Sequence, residues 1–192
     1  YEPPVVTRIH AGNGALLAEY ASEKRLFVPV EAIPLRMIHA FVSAEDKAFY
    51  NHFGIDLRAL ARAVVTNIVN YGKGRRPVGA STITQQVTKN FLLTNEVSID
   101  RKIKEAILSL RMERAFSKDQ ILALYLNEIY LGRGSYGVAA AALNYFDKSL
   151  GQLELPEIAY LAALPKAPNN YHPVHNLRAA TIRRNWVLNE MQ

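Results

Sequence analysis

Two short stretches hold most of the chemistry this chain could perform. The first is EDKAFYNHFG, Glu45–Gly54, with an adjacent carboxylate pair, aromatic rings and a histidine. The second is GASTITQQVTKN, Gly79–Asn90, with hydroxyls, two neighbouring carboxamides and an ammonium. An acid beside dense hydrogen-bonding capacity beside fixed positive charge suits transfer of a sugar from a phosphorylated carrier. A purely structural helix has no need of so many polar groups.

If the first stretch is one helix, positions 45, 49 and 52 share a face. Glu45, Phe49 and His52 are then neighbours, with Asp46 alongside in the carboxylate pair. An aromatic next to a carboxylate excludes water and raises its pKa, as a group exchanging protons near neutral pH requires. Taken alone, such a pattern is more often a solvated Glu-Asp pair and a structural histidine. In the second stretch Ser81 is placed to cap a helix. Thr82, Gln85, Gln86 and Lys89 then share one broad face, while Ile83, Val87 and Phe91 mark the apolar one. Two glutamines and a lysine are costly to bury unless something satisfies them. A third stretch, RKIKEAILSLRME, Arg101–Glu113, sets Glu105 four residues after Arg101 and three after Lys102. Solvated pairs of this kind add roughly 0.2–0.5 kcal/mol each. That bland reading suits Lys104, Arg111 and Glu113, and suits Arg101, Lys102 and Glu105 less well if they face a cleft.

These side chains need a scaffold, and the rest of the chain is built like one. Its 192 residues suffice for one domain with a real core, or two lobes of one. A hydrophobic fraction of 49% with 21% charged residues excludes a disordered chain. The absence of cysteine removes disulfides, thiolate nucleophiles and thiolate metal sites together. A net charge of +6 points to an anionic partner, whether nucleic acid, lipid head groups or a phosphorylated substrate. No apolar run approaches the ~18–20 residues of a membrane span, and no signal peptide is visible. The chain opens on Tyr1 rather than Met, so an upstream segment holding any membrane anchor is expected.

Residues 5–30 read as β. VVTRI and ALLAEY flank AGNG, whose Asn13-Gly14 is a tight-turn pair, and RLFVPV reads as a third short strand. From Pro34, suited to a first helical turn, the pattern becomes helical, with Leu35, Ile38, Phe41 and Val42 at helical spacing and Gly54 as the stop. Further helices are expected at about 57–69, 81–92, 98–115, 118–130, 136–146, 155–163 and 177–191. Between them, YGKGRRPVG, Tyr71–Gly79, is the most loop-like segment, with three glycines and three basic residues. Leu164–Pro173 holds three prolines and cannot be regular helix.

Five ordered blocks carry a resemblance. EDKAFYNHFG, GASTITQQVTKN, RKIKEAILSLRME, KDQILALYLNEIYLGRGSYGV at 118–138 and LAALPKAPNNYHPVHNLRAATIRRNWVLNEM at 161–191 span nearly the whole chain. Together they resemble the peptidoglycan glycosyltransferase domain (glycosyltransferase family 51) of class A penicillin-binding proteins, found also in monofunctional transglycosylases. Pro165-Lys166 and the strand-rich start look closest to the 1A type. The resemblance implies a mainly α, lysozyme-like, two-lobed fold. A β-rich lead-in would cover residues 1–33 and the glycosyltransferase domain 34–192, with a jaw at about 55–78 that touches the membrane. It makes Glu45 and Glu105 the catalytic carboxylates. Substrate contacts fall on Ser81, Thr82, Gln86, Lys89, Asn90, Arg101 and Lys102, with Tyr125 and Asn127 in support. Asp46, Phe49, His52 and Gln85 complete the substrate-binding set. Val97 stands where many relatives carry arginine, which leaves one phosphate contact to Arg75 or Arg76.

The activity so implied is polymerisation of lipid II, the undecaprenyl-diphosphate disaccharide pentapeptide, into β-1,4 glycan with inversion and release of undecaprenyl diphosphate. Glu45 would be the general base, and Lys89, Arg101 and Lys102 would neutralise the leaving diphosphate. Glu105 would orient those cations or hold a divalent ion. No organic cofactor and no protein metal site are expected, although a divalent cation such as Mg2+ is compatible with the diphosphate. Expected partners are lipid II, the growing glycan strand, the membrane surface and, in the same cleft, moenomycin-type inhibitors, but not nucleic acid. The expected location is the outer face of the bacterial inner membrane, facing the periplasm, and a transpeptidase domain is expected after Gln192.

Two rivals stand beside this reading. A lysozyme-like hydrolase would use Glu45 as general acid, yet a neutral glycan has no diphosphate for the carboxamide and lysine helix to grip. A non-enzymatic anion-binding helical domain, for nucleic acid above all, should cluster basic residues with stacking aromatics, and here they are dispersed. For the membrane contact the candidates are Ala63, Val64, Thr66, Asn67, Ile68, Val69 and Tyr71, with Arg58, Arg62 and Lys73 at the rim. The alternative is that Val64 and Ile68 pack in the core.

Overall fold

The computed structural model describes residues 7–10, 12, 16–20, 24–74, 77–92 and 98–192. Strands β1, Thr7–His10, and β2, Leu16–Tyr20, pair antiparallel, with Thr7 opposite Tyr20 and a register shift between Ile9 and His10. The Asn13-Gly14 turn expected between them lies outside the described residues. The third expected strand shrinks to β3, Lys24–Arg25, which pairs in parallel with β4, Ser135–Tyr136. A partner of only two residues cannot hold the rest of RLFVPV in a ladder. Beyond β3 the chain is tied by side chains instead. Arg25 bonds Glu128 and lies over the Tyr136 ring. The Asn127 carboxamide accepts from Val28 N at 2.7 Å and donates to Val28 O at 2.8 Å.

Eight α-helices follow among the described residues: α1 Leu35–Glu45, α2 Leu57–Val69, α3 Ile83–Leu92, α4 Ile99–Ala115, α5 Lys118–Glu128, α6 Val138–Phe146, α7 Leu155–Ala163 and α8 Leu177–Glu190. The fold is mainly α. Their starts are set by local chemistry. Asp56, Ser98 and Ser117 each accept a hydrogen bond from a first-turn backbone N–H of α2, α4 and α5. Gln120 returns the bond to Ser117 N, closing a capping box.

The core lies where α1 packs on α7 and α8, and where α3 meets α4 and α5. Met37, Ala40 and Phe41 of α1 meet there with Ile83 and Val87 of α3, Ile121, Leu122 and Leu126 of α5, Leu161 of α7 and Val187 of α8. Each large side chain so buried contributes about 1.5–3 kcal/mol. Helix α2 is different, since Ala63 is its one buried residue. Ala63 is therefore removed from the candidate membrane face, whereas Val64 and Ile68 stand in solvent rather than in the core. No helix among the described residues is long and apolar enough to cross a membrane.

Candidate active site

Glu45 is the last residue of α1, and Asp46 leaves the helical conformation at φ −158°. The single helix expected through Glu45–Gly54 therefore does not form; a 3-10 turn at Phe49–Asn51 follows instead. The break separates the two carboxylates. Glu45 Oε2 accepts from Gln86 Nε2 of α3 at 2.9 Å. Asp46 accepts from His52 Nε2 at 2.9 Å and from Ile83 N, the first amide of α3, at 3.0 Å. His52 is thus the partner of Asp46, not of Glu45. Phe49 is fully buried, edge-on to Tyr50 and His52 with the Lys118 ammonium 4.5 Å from its centroid. It packs beneath the site rather than lining it.

The second stretch is joined to the first by its cap. The Thr82 hydroxyl accepts from Gln85 N at 3.1 Å, and Gln85 Oε1 accepts from Thr82 N at 3.0 Å. Thr82, rather than Ser81, is therefore the cap, and α3 begins at Ile83. The same hydroxyl donates to Gly54 O at 2.6 Å. Gly54 holds φ +83°, and a Cβ there would press on the Ser109 carbonyl of α4 at 3.0 Å. Glycine is what lets the end of the first stretch reach both helices. Thr82 and Gln85 are buried, so their polar groups bind the scaffold, while Gln86, one residue on, reaches Glu45.

Ser81, free of capping, accepts from Lys102 Nζ at 2.9 Å. Lys102 and Arg101 both bond the buried Glu105, the latter at 3.1 Å. One carboxylate so holds two cations of α4 in fixed places. A cleft of about 910 Å³ is lined by Glu45, Ser81, Gln85, Gln86, Lys89, Arg101, Lys102 and Glu105, and also by Lys166, Tyr171, Arg183 and Trp186. A smaller cavity of about 250 Å³ shares Ala44, Glu45, Gly79, Ser81 and Trp186, and adds Asp46, Lys47, Asp56, Arg62, Thr82 and Glu190. Glu45 stands where the two meet.

Asn90 is exposed and does not line either space. Tyr125 is wholly buried, with its ring edge-on to Phe41 and its hydroxyl without a hydrogen-bond partner. Burial, then the charges of Glu45 and Asp46, push that hydroxyl well above its usual pKa, so it stays protonated behind the two acids. Asn127 anchors Val28 and does not reach the cleft. Arg75, Arg76 and Val97 lie outside the described residues.

Lys166, Tyr171, Arg183 and Trp186 had no site role in the sequence reading. Their signal was faint: one cation and one aromatic in a proline-broken loop, and an Arg-x-x-Trp step on α8. Burial raises the pKa of Glu45 above the ordinary carboxylate value. The Gln86 hydrogen bond and the charges of Arg183 and Lys166 pull it back, and Asp46 adds a small rise. Glu45 is therefore a desolvated carboxylate opposite a cationic wall. Glu105 has both oxygens committed to Arg101 and Lys102. No group of three or more His, Asp or Glu residues able to hold a metal occurs among the described residues.

Comparison with known proteins gives the class of this mainly helical domain. The transglycosylase family model matches residues 13–192, and the chain belongs to that family. It is 57% identical to penicillin-binding protein 1A of Rickettsia felis and 49% identical to penicillin-binding protein 1A of Aquifex aeolicus, over the whole of this chain in each case. It covers 24% and 26% of those proteins, and so spans about a quarter of their length. The crystal structure of penicillin-binding protein 1A from Haemophilus influenzae matches all of this chain and 18% of its own, with 28% identity and a TM-score of 0.53.

Proposed function

We propose that the chain is a peptidoglycan glycosyltransferase domain that polymerises lipid II. The observation that carries this reading is Glu45, desolvated, held by Gln86 and facing Lys89, Arg101, Lys102, Lys166 and Arg183 across one cleft. Glu45 takes the proton from the acceptor sugar's 4-hydroxyl as that oxygen attacks the donor's anomeric carbon. The bond from that carbon to the phosphate oxygen breaks, the diphosphate leaves with the electron pair, and the configuration inverts. This is the base half of an inverting glycosidase, with a sugar hydroxyl in place of water. The cations stabilise charge growing on the leaving diphosphate. Arg101 and Lys102, fixed in advance by Glu105 and Ser81, need no reorganisation during the reaction. A divalent ion, where one takes part, arrives with the diphosphate, and no step depends on it. Inhibitors of the moenomycin type, as anionic glycolipids, suit the same cleft.

The lipid tail of such a substrate remains in a bilayer, so the cleft must open at a membrane surface. Helix α2 and its end present Leu57, Val64, Val65, Ile68, Val69 and Tyr71, each more than half exposed. Arg58, Arg62 and Lys73 are exposed around them. A contiguous apolar face with a basic rim is what an anionic membrane surface binds, at roughly 1 kcal/mol per rim cation. For a domain that uses lipid II, the placement proposed is the outer face of the inner membrane.

The test is Glu45→Gln assayed with lipid II. Loss of the base should cut polymerisation by about 10²–10⁴ while circular dichroism and melting show an intact fold. Near-normal turnover would end the general-base assignment. Appearance of undecaprenyl diphosphate in the wild-type reaction distinguishes transfer from glycan hydrolysis.

A further inference from the structure

Trp186 is the one tryptophan of the chain, and its position is unusual for a helix-surface aromatic. It sits beside Val187, which is buried in the core, yet keeps 36% of its own surface open. It lines both the large cationic cleft and the small cavity, and Glu45 lies on the same shared border. Arg183, one turn earlier on α8, lays its guanidinium over the indole with Cζ 3.7 Å from the ring centroid. Arg183 Nε is buried without a hydrogen-bond partner, and the indole stack and the charges of Glu45 and Glu190 act together on this side chain. Such a contact fixes the plane of the ring and covers one of its faces.

The two spaces that meet at this ring differ in charge. Lys89, Arg101, Lys102 and Lys166 all line the large cleft, which suits a diphosphate. The small cavity is acidic on balance, with Glu45, Asp46, Asp56 and Glu190 against Lys47 and Arg62, and Lys47 pairs with Glu190 at 2.5 Å. Such a lining repels a diphosphate, while carboxylate acceptors around an aromatic face suit a neutral sugar, whose C–H face stacks while its hydroxyls bond at the edge. At about 250 Å³ the cavity lies below the ~300 Å³ at which drug-sized ligand sites begin, a size that suits one hexosamine ring.

We propose that Trp186, clamped by Arg183, is the platform on which the acceptor sugar stacks beside Glu45. This rests on the glycosyltransferase reading above. Trp186 touches the substrate, whereas Arg183 acts through it and is a positioning residue.

The lone tryptophan makes the proposal directly measurable. A soluble oligosaccharide of alternating N-acetylglucosamine and N-acetylmuramic acid, without lipid or diphosphate, should change the indole emission saturably. No change at concentrations where calorimetry detects binding would overturn the proposal, as would absence of binding by both methods. In a lipid II assay, Trp186→Ala should raise the acceptor KM about tenfold, the size of a lost aromatic contact, with kcat and the acid limb of the pH profile little moved. Trp186→Phe, which keeps an aromatic face, should lose only about threefold. Equal losses in both variants with a lowered melting temperature would mark Trp186 as packing and overturn the platform. The two readings fail differently. Sugar-dependent emission without release of undecaprenyl diphosphate would sink the transferase, whereas polymerisation with an unresponsive tryptophan would sink the platform alone.

Discussion

Helix α1 sends Met37, Ala40 and Phe41 fully into the core and ends on Glu45, while α2, of similar length and apolar content, buries only Ala63. Val64, Val65, Ile68 and Val69 of α2 are each more than half exposed. The helices differ in what covers them. Helix α1 is packed between α7 and α8, so its last residue is desolvated and held. Apolar periodicity says that a stripe exists, not what meets it. In α1 the stripe positions a carboxylate; in α2 it is left as a surface for something outside the domain.

The sharpest break of this contrast is in stability. Phe41→Ala should cost about 3–5 kcal/mol by opening a cavity under the Glu45 turn. Ile68→Ala should stay within about 0.5 kcal/mol, as at other exposed positions. Urea denaturation of the two variants decides it. A comparable loss from Ile68→Ala would mean that α2 is covered and that its apolar face is ordinary core.

Function should reverse the order. An Ile68→Glu, Val69→Glu variant should keep its fold and lose about tenfold or more of its partitioning onto anionic liposomes, since it places two charges on the face that dips in. Flotation of wild type and variant measures this. Unchanged partitioning with folding verified would move the membrane contact elsewhere.

A smaller effect lies at the join between the two site stretches. Thr82→Ala removes the α3 cap and the bond to Gly54 O together, and should cost about 1–2 kcal/mol. Ser81→Ala should cost little stability, because Thr82 is the cap and, among the described residues, the exposed Ser81 hydroxyl bonds Lys102 alone. A larger stability loss at Ser81 than at Thr82 would reverse the assignment of the cap.

That pair also shows what was legible in the sequence. The α2 and α7 spans, 57–69 and 155–163, are legible in the sequence as they stand, because apolar spacing is a local signal. Glu45, Gln86, Lys89, Arg101, Lys102 and Glu105 were named from residue type and block, and they share one cleft. The failures are non-local. Asp46 ends α1 while its carboxylate holds His52 and the first amide of α3, and nothing in EDKAFYNHFG shows that amide. Ser81 and Thr82 are equally good caps in isolation, and it is Thr82 that meets both Gly54 O and Gln85. RLFVPV has strand composition but a two-residue partner more than a hundred positions away. Lys166, Arg183 and Trp186 reach Glu45 only because α7 and α8 fold back over α1.

The smallest effect probes the environment of Glu45 itself. Its folded-state pKa is raised, chiefly by burial. A raised carboxylate pKa favours the folded state fully below the unfolded value, and that contribution is lost as pH rises through the folded one. At neutral pH the ionised, desolvated Glu45 therefore lowers stability, as a site built for proton transfer does. Glu45→Gln keeps the shape and can still accept from Gln86 Nε2 while removing the charge. It should melt higher than wild type at pH 7, and the gain should vanish below about pH 4, where the wild-type acid is neutral in both states. Ile68→Gln on α2 should show no such pH-dependent difference. Thermal melts of both variants at the two pH values test the contrast. A Glu45→Gln change that is the same at both pH values would mean that water or a counter-charge fully compensates this carboxylate, and the raised pKa on which the base assignment leans would have to be given up.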